Sequence, residues 1–152
     1  DKGQVVFISS NQIITTRTLE GTYPNYSQLI PDSFSKILNF NTKKLIDALE
    51  RIAVLADQQS SVVKIKLDNT DLASISADAQ DIGNANELIP VSYSGENFDI
   101  AFNVRYLLEG LKVISSENVL LKCNIATTPA VFVPEDNLNS FTYLVMPVQV
   151  RS

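Results

Sequence analysis

At 152 residues, with 45% hydrophobic and 19% charged side chains, the chain has room for one ordinary domain plus a piece of another, and it can bury a sizeable core. No apolar run approaches the ~20 residues a membrane-spanning helix needs, and the lack of histidine beside a single cysteine removes the commonest general base and the usual zinc ligands. The net charge of −5, taken as a sum, argues against nucleic acid as a partner, so any basic surface has to be local.

The chain opens on Asp1-Lys2-Gly3-Gln4, with neither an initiator Met nor a signal-peptide pattern, and runs straight into the strand-like Val5-Val6-Phe7-Ile8. This reads as a cut inside a larger protein. Gln4 to Ser9 and Gln12 to Leu19 form a predicted hairpin around Ser10-Asn11, followed by Glu20-Gly21-Thr22-Tyr23-Pro24-Asn25-Tyr26. These first residues look like the tail of a preceding domain.

The next segment occurs twice. Phe40-Asn41-Thr42-Lys43-Lys44-Leu45-Ile46-Asp47-Ala48-Leu49-Glu50-Arg51-Ile52 returns as Phe102-Asn103-Val104-Arg105-Tyr106-Leu107-Leu108-Glu109-Gly110-Leu111-Lys112-Val113-Ile114, so one supersecondary unit is used twice. In the first copy Leu45, Leu49, Ile52 and Ala56 fall on one face of a helix, with Lys43, Asp47 and Glu50 opposite. Asn41 stands at the N-cap position.

Strands are predicted at Val62–Leu67, Leu72–Ala77, Leu88–Tyr93 and Phe98–Phe102, separated by turns at Asp68-Asn69 and Ser94-Gly95-Glu96-Asn97. The second helix follows, with Leu107, Leu111 and Ile114 inward, Arg105, Glu109 and Lys112 outward and Asn103 as its cap. Further strands are predicted at Val119–Ile125, Ala130–Val133 and Tyr143–Val150, with turns at Ser115–Asn118 and Pro134–Asn137. The pattern is a helix then about three strands, twice. It implies an α+β fold in which two amphipathic helices lie side by side on one face of curved, mostly antiparallel sheets.

Cys123 sits in the apolar alternation Val119-Leu120-Leu121-Lys122-Cys123 and reads as a small buried hydrophobe, which suits a reducing compartment. The two helical segments and their continuations carry five basic residues (Lys43, Lys44, Arg51, Arg105, Lys112) against four acidic ones (Asp47, Glu50, Asp57, Glu109). The basic excess is slight but lies on the helices. An enzyme could use the carboxylate pairs Asp78 with Asp81 or Glu135 with Asp136. They lie in turn-like segments without histidine, a phosphate loop or a nucleophile motif, so solvated loop charges are the better reading and no enzyme is expected.

Three further segments, in order, carry a resemblance. They are Leu19-Glu20-Gly21-Thr22-Tyr23-Pro24-Asn25-Tyr26; Tyr93-Ser94-Gly95 followed by Ile100-Ala101-Phe102-Asn103-Val104-Arg105-Tyr106-Leu107; and Tyr143-Leu144-Val145-Met146-Pro147-Val148-Gln149-Val150. With the repeat, they make essentially the whole chain similar to the bacterial sliding clamp family, the beta subunit of DNA polymerase III. The resemblance implies the DNA-clamp fold, with residues 1–30 as the end of the middle clamp domain and its linker and 31–152 as the C-terminal clamp domain. It further implies a non-enzymatic processivity factor without cofactors, a cytoplasmic, nucleoid-associated ring that encircles duplex DNA and slides.

Three surfaces come with that resemblance. Lys43, Lys44, Arg51, Arg105 and Lys112 are the residues expected to face DNA. Tyr23, Pro24, Gln28, Leu29, Asn103, Tyr106, Leu144, Val145, Met146, Pro147, Val148 and Gln149 are expected to wall a pocket for short motifs of the polymerase catalytic subunit, the clamp loader and other replication and repair proteins. Gln28 and Gln149 stand where the family often has arginine. Val54 and Leu55 match apolar positions of the homodimeric ring joint. The residues also fit a peptide-binding module that shares the sheet and edge strand but has no DNA role.

Overall fold

The computed structural model describes residues 3–56, 61–68, 71–79, 83–93, 95–138 and 141–150; Asp1, Lys2, Asp57, Asn69, Asp81 and Ser94, named above, lie outside the described residues. The first hairpin pairs β1 (Gln4–Ile8) with β2 (Ile13–Arg17), setting Phe7 opposite Ile14. Its side chains stay open, Ile8 at 77% and Ile13 at 71% exposure, so the ribbon adds nothing to the core of the repeated unit. A 3-10 turn at Tyr26–Leu29 then leads out of the linker.

The first repeat comprises β3 (Lys36–Asn41), α1 (Thr42–Ala56), β4 (Val62–Leu67), β5 (Leu72–Ala79) and β6 (Gly83–Ser92). The second comprises β7 (Phe98–Asn103), α2 (Val104–Leu111), β8 (Asn118–Cys123), β9 (Ala130–Pro134) and β10 (Tyr143–Val145). The unit is therefore strand, helix and three strands. The leading strand β3 escapes the sequence reading because Phe40-Asn41 is taken there as the helix start. Yet Leu38 and Phe40 point inward with the alternation of a half-buried strand.

All eight strands join one antiparallel sheet in the order β10, β9, β8, β3, β6, β5, β4, β7. The two repeats exchange their leading strands. β3 pairs with β8 from Lys36 opposite Cys123 to Asn41 opposite Asn118, and β7 pairs with β4 from Val62 opposite Asn103 to Leu67 opposite Phe98. The helix starts follow the same exchange: Thr42 N–H donates to the Glu117 carbonyl at 2.9 Å, and Val104 N–H to the Ser61 carbonyl at 2.7 Å. Each repeat thus satisfies donors that the other's helix leaves unpaired.

Where the two halves of the sheet meet, β3 and β6 share only Asn39 opposite Ser92 and Phe40 opposite Val91. At the two outer edges the chain leaving β10 crosses to β7, where Val148 N–H donates to the Ala101 carbonyl at 2.7 Å. Both seams carry a Pro-Val dipeptide, Pro90-Val91 in one and Pro147-Val148 in the other. The repeat therefore reaches further along the chain than the doubled helix suggests. Strand pairing of the last segment stops at Val145, so the expected strand Tyr143–Val150 is three residues long. Pro147 has no N–H to extend it.

Both caps form as the sequence implies: Asn41 Oδ1 accepts from Lys44 N–H at 3.1 Å and Asn103 Oδ1 from Arg105 N–H at 3.0 Å. The 15 residues of α1 make a rod of about 22 Å and the eight of α2 one of about 12 Å. Where α1 continues as Ala53-Val54-Leu55-Ala56, the second copy has Ser115-Ser116, which are weaker helix formers than alanine and leucine. Ile114 reaches the core from the turn instead, its N–H donating to the Leu111 carbonyl at 3.1 Å.

Between helices and sheet lies one core. Phe40, Phe102 and Phe132 are at most 1% exposed, with the rings of Phe102 and Phe132 at 6.3 Å. Cys123 is fully buried there, and burial pushes its thiol from 9.0 up to about 11. A raised folded-state value stabilises the fold below the ordinary thiol range and is lost as pH rises through the folded value. Stability is therefore expected to fall by about 3 kcal/mol between pH 9 and 11 through this residue. Urea titration across that range checks it: Cys123→Ala flattens the slope by that amount.

Candidate functional site

The outward faces of the two helices and the residue just past α2 carry all five cations singled out in the sequence, each exposed. Arg51 and Lys112 form ion pairs that bridge separate elements. Arg51 reaches from α1 to Glu87 on β6, its Nε donating to Oε2 at 2.9 Å and Nη2 donating to Oε1. This pairing holds the Glu87 carboxyl below its usual range and raises the guanidinium above its own. Lys112, just past α2, bridges to Glu50 of α1 at 2.6 Å and so ties the helices together. Exposed ion pairs of this kind are worth little to the fold. Lys43 and Lys44 lie in the first turn of α1, and Arg105 in that of α2.

At the N-terminal end of α2, which Asn103 caps, Tyr106 meets the last strand. The Tyr143 hydroxyl donates to the Tyr106 carbonyl at 2.9 Å, and Leu144 and Val145 pair with Val131 and Ala130 of β9. The Tyr106 side chain is 57% exposed and Met146 56%. Val145 points inward and is buried, a wall support more than a contact surface. Gln149 turns away, its Nε2 reaching the Ala126 carbonyl at 3.5 Å. With Val148 it borders a 280 Å³ cleft along β7 and a 690 Å³ hollow on the outer face of β4 and β5, which the sequence reading missed. Nothing in the local pattern marks them, because the crossing of the tail over β7 creates them.

The linker residues lie at the surface. Tyr23 is 82% and Leu29 55% exposed, and the polar contacts of the stretch are local, Tyr26 N–H to the Pro24 carbonyl at 2.9 Å and Gln28 N–H to the Asn25 carbonyl at 3.2 Å. At the far end of α1, Val54 is 74% exposed and Leu55 half-buried. An exposed valine beside core residues of the same turn is an apolar contact point.

The remaining signals have structural roles. Tyr93 folds back over Gly95, where a Cβ would collide with its ring, and donates to the Glu96 carbonyl at 3.1 Å. That accounts for the Tyr-Ser-Gly segment. Glu135, offered above as half of a carboxylate pair, accepts from Asn39 Nδ2 at 2.6 Å and Asn118 Nδ2 at 2.9 Å. It is a clasp between strands. Asp78 is exposed at the rim of the hollow.

Residues 27–149 match the family described as DNA polymerase III beta subunit, C-terminal domain. The beta sliding clamp of Synechococcus elongatus is 48% identical over the whole chain, which spans 40% of that relative. That of Synechocystis is 40% identical over 97% of the chain and 38% of the relative. Among solved structures, the DNA polymerase III beta chain of Streptococcus pneumoniae superposes with a TM-score of 0.90 at 32% identity over 99% of this chain and 40% of that one. A polymerase sliding clamp of Pseudomonas aeruginosa gives 0.91 at 27% identity, over 99% of this chain and 40% of that one. The chain thus spans about 40% of the length of the relatives it matches. Fold, doubled helix and C-terminal segment agree with these likenesses, and the chain belongs to the DNA polymerase III beta subunit, or beta sliding clamp, family.

Proposed function

We propose that the protein containing this segment is a DNA polymerase processivity factor. It is a non-enzymatic homodimeric ring in the bacterial cytoplasm, at the nucleoid, that encircles duplex DNA and slides along it. Residues 1–30 close its middle domain and 31–152 form its C-terminal domain. The observation that carries this reading is the likeness to beta sliding clamps along the whole chain. The helices fit it physically. A rod of about 22 Å can bridge phosphates across a groove ~12 Å wide without entering it, and phosphate contacts leave the protein free to move because they carry no sequence information.

Lys43, Lys44, Arg51, Arg105 and Lys112 make up that contact surface, Arg51 and Lys112 reaching DNA at the cost of Glu87 and Glu50. Val54 and Leu55 form part of the subunit joint. The pocket between the last two domains, walled by Tyr23, Pro24, Gln28, Leu29, Asn103, Tyr106 and the segment Leu144 to Gln149, captures motifs of the polymerase catalytic subunit, the clamp loader and other replication and repair proteins. Motif peptides bind it at roughly micromolar strength, about −8 kcal/mol, so partners exchange.

Retention of the full-length ring on nicked circular DNA tests the first half. Lys43→Glu with Lys44→Glu is expected to shorten the retention half-life and to lower the salt slope of DNA binding by about 0.9 for each phosphate that no longer meets a cation. Unchanged retention, loading and salt slope would remove both lysines from the DNA face.

A further inference from the structure

Gly110 is where the second helix gives up the side chain its counterpart keeps, Ala48. A Cβ there would run into the ring of Tyr143, which occupies that face of α2. The same tyrosine donates its hydroxyl to the Tyr106 carbonyl at 2.9 Å, and its ring stacks at 6.4 Å and 5° on Phe141. The helical ladder assigns the Tyr106 carbonyl the N–H of Gly110, so the phenol takes the second lone pair. One residue of β10 therefore meets one turn of α2 twice, at the ring and at the hydroxyl.

We propose that Gly110 and Tyr143 are positioning residues of the motif pocket: Tyr143, seated in the notch left by Gly110, sets the distance between Tyr106 on α2 and the Leu144–Met146 segment. The proposal rests on the pocket reading above. Few other contacts could do this. β10 has three paired residues, and the next backbone anchor is Val148 N–H on Ala101. Exposed Met146 lies between those anchors, so the angle at which β10 leaves α2 decides where it points. Partial burial pushes the Tyr143 phenol up from its ordinary value, the main cause being desolvation, which keeps it a donor throughout the neutral range.

The test uses the full-length protein, a fluorescent peptide carrying the clamp-binding motif of the polymerase catalytic subunit, and the ¹³C-methyl resonance of Met146, assigned by its loss in Met146→Leu. Tyr143→Phe, which removes only the hydroxyl, is expected to weaken the peptide about threefold to tenfold. Gly110→Ala is expected to weaken it at least tenfold and to shift the Met146 resonance. Gly110→Ala combined with Tyr143→Leu removes the collision, so the melting temperature recovers while the affinity stays low. Recovery of affinity together with stability would overturn the proposal, as would wild-type affinity and an unmoved Met146 signal in Gly110→Ala. If the unaltered protein ignores the peptide while Gly110→Ala still moves Met146, the positioning role stands and the pocket reading falls.

Discussion

Cut between Tyr93 and Phe98, the chain is expected to yield two pieces that do not fold. The repeats are separable as sequence patterns, yet neither keeps its sheet alone. Without the second repeat, β4 loses β7 and β3 loses β8 along its whole length, leaving β3 held to β6 by two residues. Without the first, β7 has no neighbour but the tail, and the first N–H of α2 loses the Ser61 carbonyl. Phe102 leaves with one piece and Phe40 with the other, and each is a fully buried side chain of the shared core. Removing a single buried phenylalanine costs about 3–5 kcal/mol, against a total stability of about 5–15 kcal/mol for a domain, so exposing half the core exceeds what either piece could retain. Circular dichroism and urea titration of residues 30–95 and 96–150 check this: neither piece should show a cooperative transition alone, and mixing should restore one. A cooperative transition in either separate piece would mean that the exchanged strands are dispensable.

That result depends on strand exchange, which the sequence does not display. Its doubled helix, caps and alternating strands were legible because each is a local pattern, period 3.6 or period 2 over a few residues. Asn41 and Asn103 could be assigned as caps from position alone. β3 was not legible, although Lys36 to Asn41 alternates well, because its partner β8 is some 80 residues away and its last residues double as a helix start. The short α2 was half legible: Ser115-Ser116 announces an end, but Ile114 keeps the helical spacing from a turn. The candidate surfaces divide in the same way. Exposure of Lys43, Lys44 and Val54 follows from helical periodicity. The turn of Gln149 toward Ala126 and the ion pairing of Arg51 with Glu87 depend on where distant strands pass.

The largest functional effect is expected from the pair Leu144→Ala and Met146→Ala, which together should reduce motif-peptide affinity of the full-length protein by about a hundredfold or more. Leu144 is half-buried and Met146 56% exposed. Truncating them therefore removes apolar contact area from the pocket while leaving the inward-facing Val145 and the core in place. Burying a leucine or methionine side chain against a partner is worth about 1.5–3 kcal/mol, so losing both approaches 3–6 kcal/mol, with 1.4 kcal/mol equal to tenfold in affinity. The melting temperature should hardly move, because neither residue is a fully buried core side chain and the Val148 anchor on Ala101 remains. Methionine at such a position adapts its shape to different motifs, so Met146→Leu should preserve one peptide better than another where the double alanine variant weakens all. Fluorescence titration with motif peptides from two different partners decides it. Equal affinity of the double variant and the unaltered protein for both peptides would move the pocket away from this segment, toward the cleft along β7 and the hollow on β4 and β5 that Val148 and Gln149 border.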